Sequence, residues 1–176
     1  MAQYDQPTTE TAACCTVPSI GNGLTNQPAG STCPHCGVRG KLVDTRTLKA
    51  MLAVSLVALQ PVAYYFCPTV QCPVVYFATG GRQTFTESDL RERVYQKHPD
   101  DAAVFVCYCF RHTLGTIRAE GLTTKASAVI EQIKTGIAAG QCACEIRNPQ
   151  GSCCLGNVSA VVKQTMQEAT TVALEV

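Results

Sequence analysis

Val106-Cys107-Tyr108-Cys109-Phe110, Gly140-Gln141-Cys142-Ala143-Cys144-Glu145 and Gly151-Ser152-Cys153-Cys154-Leu155-Gly156 decide how the second half of this chain folds. They hold six of its twelve cysteines. The sequence between and after them is helical in pattern. Thr113 can cap a short helix with Ile117 on its inner face and Gly121 at its end. From Thr124 to Ala139, Ala128, Val129, Ile133 and Ile137 recur on one side, with Gly140 as the C-terminal cap. A third helix after Cys154 carries Val158, Val161, Val162 and Met166 at helical spacing. Three short helices with all six cysteines in their loops make a scaffold for a metal centre at one end. The spacing is C-x-C, 32 residues, C-x-C, eight residues, Cys-Cys. Four thiolates in this arrangement suit a 2Fe-2S cluster, and they suit a tetrahedral zinc equally.

Working back toward the N-terminus, a second metal signal appears. Cys33-Pro34-His35-Cys36-Gly37 is a C-x2-C knuckle, with Pro34 stiffening the turn and Gly37 allowing the tight backbone path past a metal. Cys67 and Cys72 form a C-x4-C turn between two aromatic and β-branched runs, 63–66 and 74–77, which predicts a hairpin with a second knuckle at its tip. Cys33, Cys36, Cys67 and Cys72 therefore predict an all-thiolate zinc ribbon. His35 is expected to face solvent. Leu48, Met51, Leu52, Ser55, Leu56 and Leu59 follow a helical period ended by Pro61, with Asp44, Thr45 or Thr47 as N-cap. Thr86-Glu87-Ser88-Asp89 is a capping signal. The charged stretch 91–101 reads as a linker.

The expected organisation is α+β. A flexible arm over 1–30 carries Cys14 and Cys15. It precedes a zinc-ribbon-like β-hairpin domain with a helix over 31–100, a small helical cluster domain over 101–166 and a tail over 167–176. The net charge of +1, with no clustered Lys and Arg, provides no footprint for nucleic acid. The longest apolar run, Met51 to Leu59, is too short to span a bilayer, and the polar start does not resemble a secretory signal. A cytoplasmic address is expected, where thiols stay reduced and metal sites are favoured over disulfides. His35, His98 and His112 pair with no evident nucleophile, and no nucleotide-binding glycine loop is present. No enzyme is expected.

The pattern Cys107-Tyr108-Cys109, with a cysteine 33 positions after Cys109, resembles the 2Fe-2S domain of bacterioferritin-associated ferredoxins and the NifU middle segment. A longer resemblance, over about residues 33–162, is to the N-terminal region of CopZ-type copper chaperones, which joins a zinc ribbon to such a cluster domain. Phe66-Cys67-Pro68, Cys72-Pro73-Val74-Val75-Tyr76-Phe77 and Asn148-Pro149-Gln150-Gly151-Ser152-Cys153-Cys154 carry it along with the cysteine stretches above. Where the ferredoxin pattern wants a cysteine three after Cys142, this chain has Glu145, and Asn148 to Gly151 reads as an inserted turn. By register against the last helix, the resemblance implies Cys107, Cys109, Cys142 and Cys154 as cluster ligands, with Cys153 and Cys144 as alternates. It also implies a metallochaperone-like role in copper or other soft-metal homeostasis. In that role the cluster passes single electrons, such as those reducing Cu(II) to Cu(I), and the partner is a copper-transporting P-type ATPase or a small copper carrier. The M-x-C-x-x-C loop that holds Cu(I) in those chaperones does not occur here. Trafficked metal is therefore expected on Cys14, Cys15, Cys144 or Cys153, or on a separate carrier. A plain 2Fe-2S electron carrier is the alternative.

Overall fold

Alternation in the predicted hairpin builds the first unit. The structure, a computed structural model, describes residues 30–124 and 128–174, so the arm with Cys14 and Cys15 lies outside it. Strands β2 (Tyr64–Phe66) and β3 (Val74–Ala78) pair antiparallel, with Tyr65 opposite Phe77 and Phe66 opposite Tyr76. They are the centre of a four-stranded sheet in which β1 (Lys41–Val43) and β4 (Thr84–Thr86) form the edges. Successive side chains point to opposite faces of a strand. Tyr64, Phe66 and Tyr76 thus enter a core with Leu48, Met51 and Leu52, while Tyr65 and Phe77 stack at 5.5 Å against Cys33, Cys67 and Cys72. One face of the sheet covers a helix and the other supports the knuckles.

That helix, α1 (Thr45–Met51), is capped by Asp44, whose side chain accepts from the Arg46 amide at 2.7 Å. It is shorter than its periodicity predicts. At Leu52 the chain turns extended and bridges to Leu90, with Ala53 N–H donating to Asp89 and Arg91 N–H to Met51. Tertiary pairing overrides a helical pattern here, and it leaves Val54, Leu56 and Val57 in an exposed loop. The capping box at Thr86 and Asp89 forms, but it starts a single 3₁₀ turn, Glu87–Asp89. The stretch expected to be a linker is packed instead. Val94 is fully buried in the first core, and Arg93 and Tyr95 both bond the hydroxyl of Tyr108.

The second unit holds a short hairpin, β5 (Phe105–Cys107) with β6 (His112–Thr113), followed by α2 (Leu114–Thr124), α3 (Ala128–Ala138), α4 (Cys144–Arg147) and α5 (Leu155–Leu174). Leu114, Ile117, Val129, Ile133, Val158, Val161 and Val162 bury together with Cys107, Cys144 and Cys154. Four sequence expectations change. Helix α2 runs past Gly121, which is buried beside Thr165; α5 continues through the residues expected as a tail; and Met166 stays largely exposed. The cysteines are not all in loops, since Cys107 ends β5 and Cys144 begins α4. Gly140, at φ +69°, closes α3 as predicted, with Gln141 N–H donating to Gly136.

The units meet along α1 and α4 and along the turn read as an insertion. The Thr47 hydroxyl donates to the Glu145 carbonyl, and the buried Tyr76 hydroxyl donates to the Pro149 carbonyl at 2.5 Å. Lys41 reaches Ser152, and Gln96 donates to Gln150. Asn148, fully buried, folds the turn on itself by donating to Ser152 at 2.7 Å and accepting from the Gln150 amide.

Candidate metal centres

The two knuckles converge as their spacing predicts. The sulfurs of Cys33, Cys36, Cys67 and Cys72 all lie within 4.8 Å of one another. Cys33 and Cys72 are 3.8 Å apart and Cys36 and Cys67 are 3.6 Å apart. Thiolates at about 2.3 Å from a tetrahedral zinc stand about 3.8 Å from each other, so the site fits zinc without rearrangement. Local backbone explains the convergence. Gly37, at φ +72°, donates its N–H to the Cys33 carbonyl, and Cys72 N–H donates to Thr69, which closes each turn around its sulfur pair. The site is electrostatically uneven. The Thr69 hydroxyl, 3.4 Å from Cys36, brings that thiol down to about 6, while burial lifts Cys72 to about 12 and raises Cys67. His35, expected to face solvent, is exposed yet places Nδ1 3.6 Å from Cys72 Sγ, and so braces a ligand from outside.

In the second unit, near the elements that meet the first, five sulfurs form a connected set. Cys109, Cys142 and Cys144 form one group, at 3.7 Å between Cys109 and Cys144, 4.0 Å between Cys109 and Cys142, and 3.5 Å between Cys142 and Cys144. Cys154 contacts both Cys107 and Cys144 by hydrogen bonding. The sequence of sulfurs therefore runs Cys142, Cys109, Cys144, Cys154, Cys107. All four residues implied as ligands are present, and Cys144, expected as an alternate or an outlying soft-metal thiol, stands in their midst. Its relative exposure is 1%, against a half-buried Cys142. Cys153 is half-buried beside Cys154.

The hydrogen bond from Cys154 holds the Cys107 thiol below its usual range. Contact with Cys144, followed by burial, pushes Cys109 well up. Contact with Cys109 lowers Cys144, but contact with Cys154 and burial outweigh it and the net direction is up. Cys154 also rises, through Cys107 first. Crowded thiols that resist ionising together make a site that a cation relieves, because each thiolate formed there raises its neighbours. The Ala143 amide adds a donor to Cys109 Sγ at 3.3 Å. His112 sits opposite Cys107 in the β5–β6 pair. The short helix at Cys144 was missed in the sequence. Its traces were Glu145 in the first turn and Arg147 in the last, between Gly140 and Asn148-Pro149.

Comparison with known proteins agrees with this geometry. Residues 30–91 match the CopZ-type family described as a zinc binding domain (zf_CopZ). The crystal structure of the N-terminal domain of CopZ from Archaeoglobus fulgidus is similar, with a TM-score of 0.59 and 27% sequence identity over 74% of this chain and 96% of that one. No curated protein matches significantly. The chain thus contains a CopZ-type zinc-binding region in a mixed α and β fold, with a further cysteine cluster beside it. Among the described residues, no helix is long and apolar enough to cross a membrane.

Proposed function

We propose that the chain is a metal-homeostasis protein that carries one structural zinc and one 2Fe-2S cluster and passes single electrons in the service of copper handling. Cys33, Cys36, Cys67 and Cys72 hold the zinc. Cys107, Cys109, Cys144 and Cys154 hold the cluster, with Cys144 in the place that register alone gives to Cys142. The observation that carries this reading is a connected set of five sulfurs, three of them buried: Cys109, Cys142 and Cys144 lie within 4.8 Å of one another, and Cys154 links Cys144 to Cys107. Four thiolates are the usual complement of a 2Fe-2S centre, and Cys144 is preferred because it touches both Cys109 and Cys154.

When bound, the cluster supplies one-electron chemistry. The chain's own part is to seat it. Val106, Leu114, Ile117 and Val158 are fully buried around the sulfurs and exclude water, and the Ala143 amide points at Cys109. The copper assignment rests on likeness to the CopZ domain and its zinc-binding family. Electrons from the centre would convert Cu(II) to the Cu(I) that thiolates accept, for delivery through a separate carrier or a copper-transporting ATPase. The chain is a transfer protein rather than an enzyme, with a cytoplasmic address.

Anaerobic purification with metal and sulfide analysis tests the centres. About two irons, two sulfides and one zinc per chain are expected. Colourless protein with zinc alone would refute the cluster. Dithionite-reduced protein that leaves Cu(II) unreduced, with no Cu(I) retained on thiols, would refute the copper role and leave a ferredoxin-type carrier.

A further inference from the structure

The second centre has one sulfur too many. A four-thiolate cluster uses four, and the fifth, Cys142, is 3.5 Å from Cys144, on the same side of Cys109. Both offer a thiol to the neighbourhood of one fixed partner, at 4.0 Å and 3.7 Å from Cys109 Sγ. Their backbones differ. Cys144 starts α4, whose carbonyl at Glu145 is held by Thr47, whereas Cys142 lies in the irregular stretch between Gly140 and Ala143. The thiol of Cys144 is buried at the start of a helix, and that of Cys142 is half-buried on an irregular stretch.

We propose that Cys142 is an exchange ligand: it takes the iron position of Cys144, so that the cluster has two interchangeable forms. This rests on the cluster assignment above. The step moves no electrons. The Cys142 thiol gives up its proton and bonds iron, while the Cys144 sulfur leaves iron and takes up a proton. One iron–sulfur bond forms and one breaks. The exchange leaves Cys144 as a protonated thiol inside the site while the cluster stays bound.

The test uses the full chain, purified without oxygen, as wild type, Cys142→Ala, Cys144→Ala and the double variant. Iron, sulfide and zinc are measured with the visible absorption and circular dichroism. Each single variant is expected to keep more than half the wild-type iron, Cys144→Ala with a shifted visible spectrum. The double variant is expected to lose its iron and keep its zinc. If Cys144→Ala loses as much iron as the double variant while its zinc remains, the exchange is refuted. Wild-type protein without iron and sulfide is a separate result, which refutes the cluster and this inference with it. A second measurement covers the case in which Cys144→Ala does not fold. The wild-type iron-loaded chain is alkylated and peptide-mapped: single tags distributed between Cys142 and Cys144 support the exchange, and tags on Cys142 alone overturn it.

Discussion

Replacing Tyr76 by Phe removes one hydroxyl and tests whether the first unit holds the turn between Cys144 and Cys154 in the second. Tyr76 is fully buried in β3, and burial pushes its phenol above the usual range, which keeps it a proton donor near neutral pH. Its hydroxyl donates to the Pro149 carbonyl, at 2.5 Å, inside the turn between Cys144 and Cys154. A net hydrogen bond contributes about 0.5–1.5 kcal/mol, and a buried acceptor left without its donor costs about 1–3 kcal/mol. The ring itself stays, so packing against Phe66 at 6.1 Å is retained and the loss is set by the polar group. The expected destabilisation is about 1–3 kcal/mol, a fall in melting temperature of about 2–4 °C per kcal/mol for a chain of this size. Thermal unfolding of the metal-loaded protein measures it. Visible circular dichroism then shows whether the proposed iron site has shifted while zinc stays at one per chain. A melting temperature and a visible spectrum both unchanged from wild type would refute the claim that this contact positions the turn.

The other predictions concern single side chains around the two centres. In zinc-free protein, Cys36 is expected to be alkylated well before Cys72, with a rate that rises through about pH 6 as its thiolate forms, while Cys72, at about 12, stays protonated and slow. Thr69→Val should move the Cys36 midpoint upward; a midpoint that stays put would remove the hydroxyl as its cause. His35→Ala should weaken zinc retention against a chelator by about tenfold, the usual effect of losing an outer partner to a ligand, and unchanged retention would make the contact with Cys72 incidental. Gly136→Ala places a methyl 2.3 Å from the Phe110 ring, beside Cys109. An overpacking cost of about 1–3 kcal/mol and a selective loss of iron over zinc are expected, and unfolding at the wild-type temperature would contradict this packing.

The legible parts of the chain were those in which local chemistry and tertiary structure agree. The C-x2-C and C-x4-C spacings and the apolar runs beside Cys67 and Cys72 are enough to place a hairpin with two knuckles, because the sulfurs are brought together by turns only a few residues long. Helix α3 and the buried valines of α5 were legible for the same reason: a 3.6-residue period repeated over several turns. What escaped depended on distant partners. The end of α1 is set by Leu52 pairing with Leu90, and nothing near Leu52 in sequence announces it. Cys142 and Cys144 differ by two positions, and only the fold decides that one is sealed against Cys154 and the other left half-buried. The stretch 91–101 read as a linker because it is charged, yet Val94 is buried and the backbone of Arg93 and Tyr95 bonds the Tyr108 hydroxyl.

The two segments that composition marked as spacers join α1 and α4 in holding the units together, and this bears on how the second centre is built. Each pair of its proposed ligands flanks a stretch bonded to other residues through a tyrosine hydroxyl. Tyr108 lies between Cys107 and Cys109 and donates to the Arg93 carbonyl at 2.8 Å, while accepting from Tyr95 at 2.9 Å. Pro149 lies between Cys144 and Cys154 and accepts from Tyr76. Two steps from Tyr95, Lys97 donates to the Thr69 carbonyl at 2.7 Å, in the turn that joins two zinc ligands. A flexible pair of thiol-bearing loops would pay the full ordering entropy when metal binds, at about 1–2 kcal/mol per residue fixed. Loops already held from the outside by a folded zinc unit do not. The zinc region therefore does more than fold itself: by fixing the backbone on which Cys107, Cys109, Cys144 and Cys154 sit, it prepares the second site for its metal.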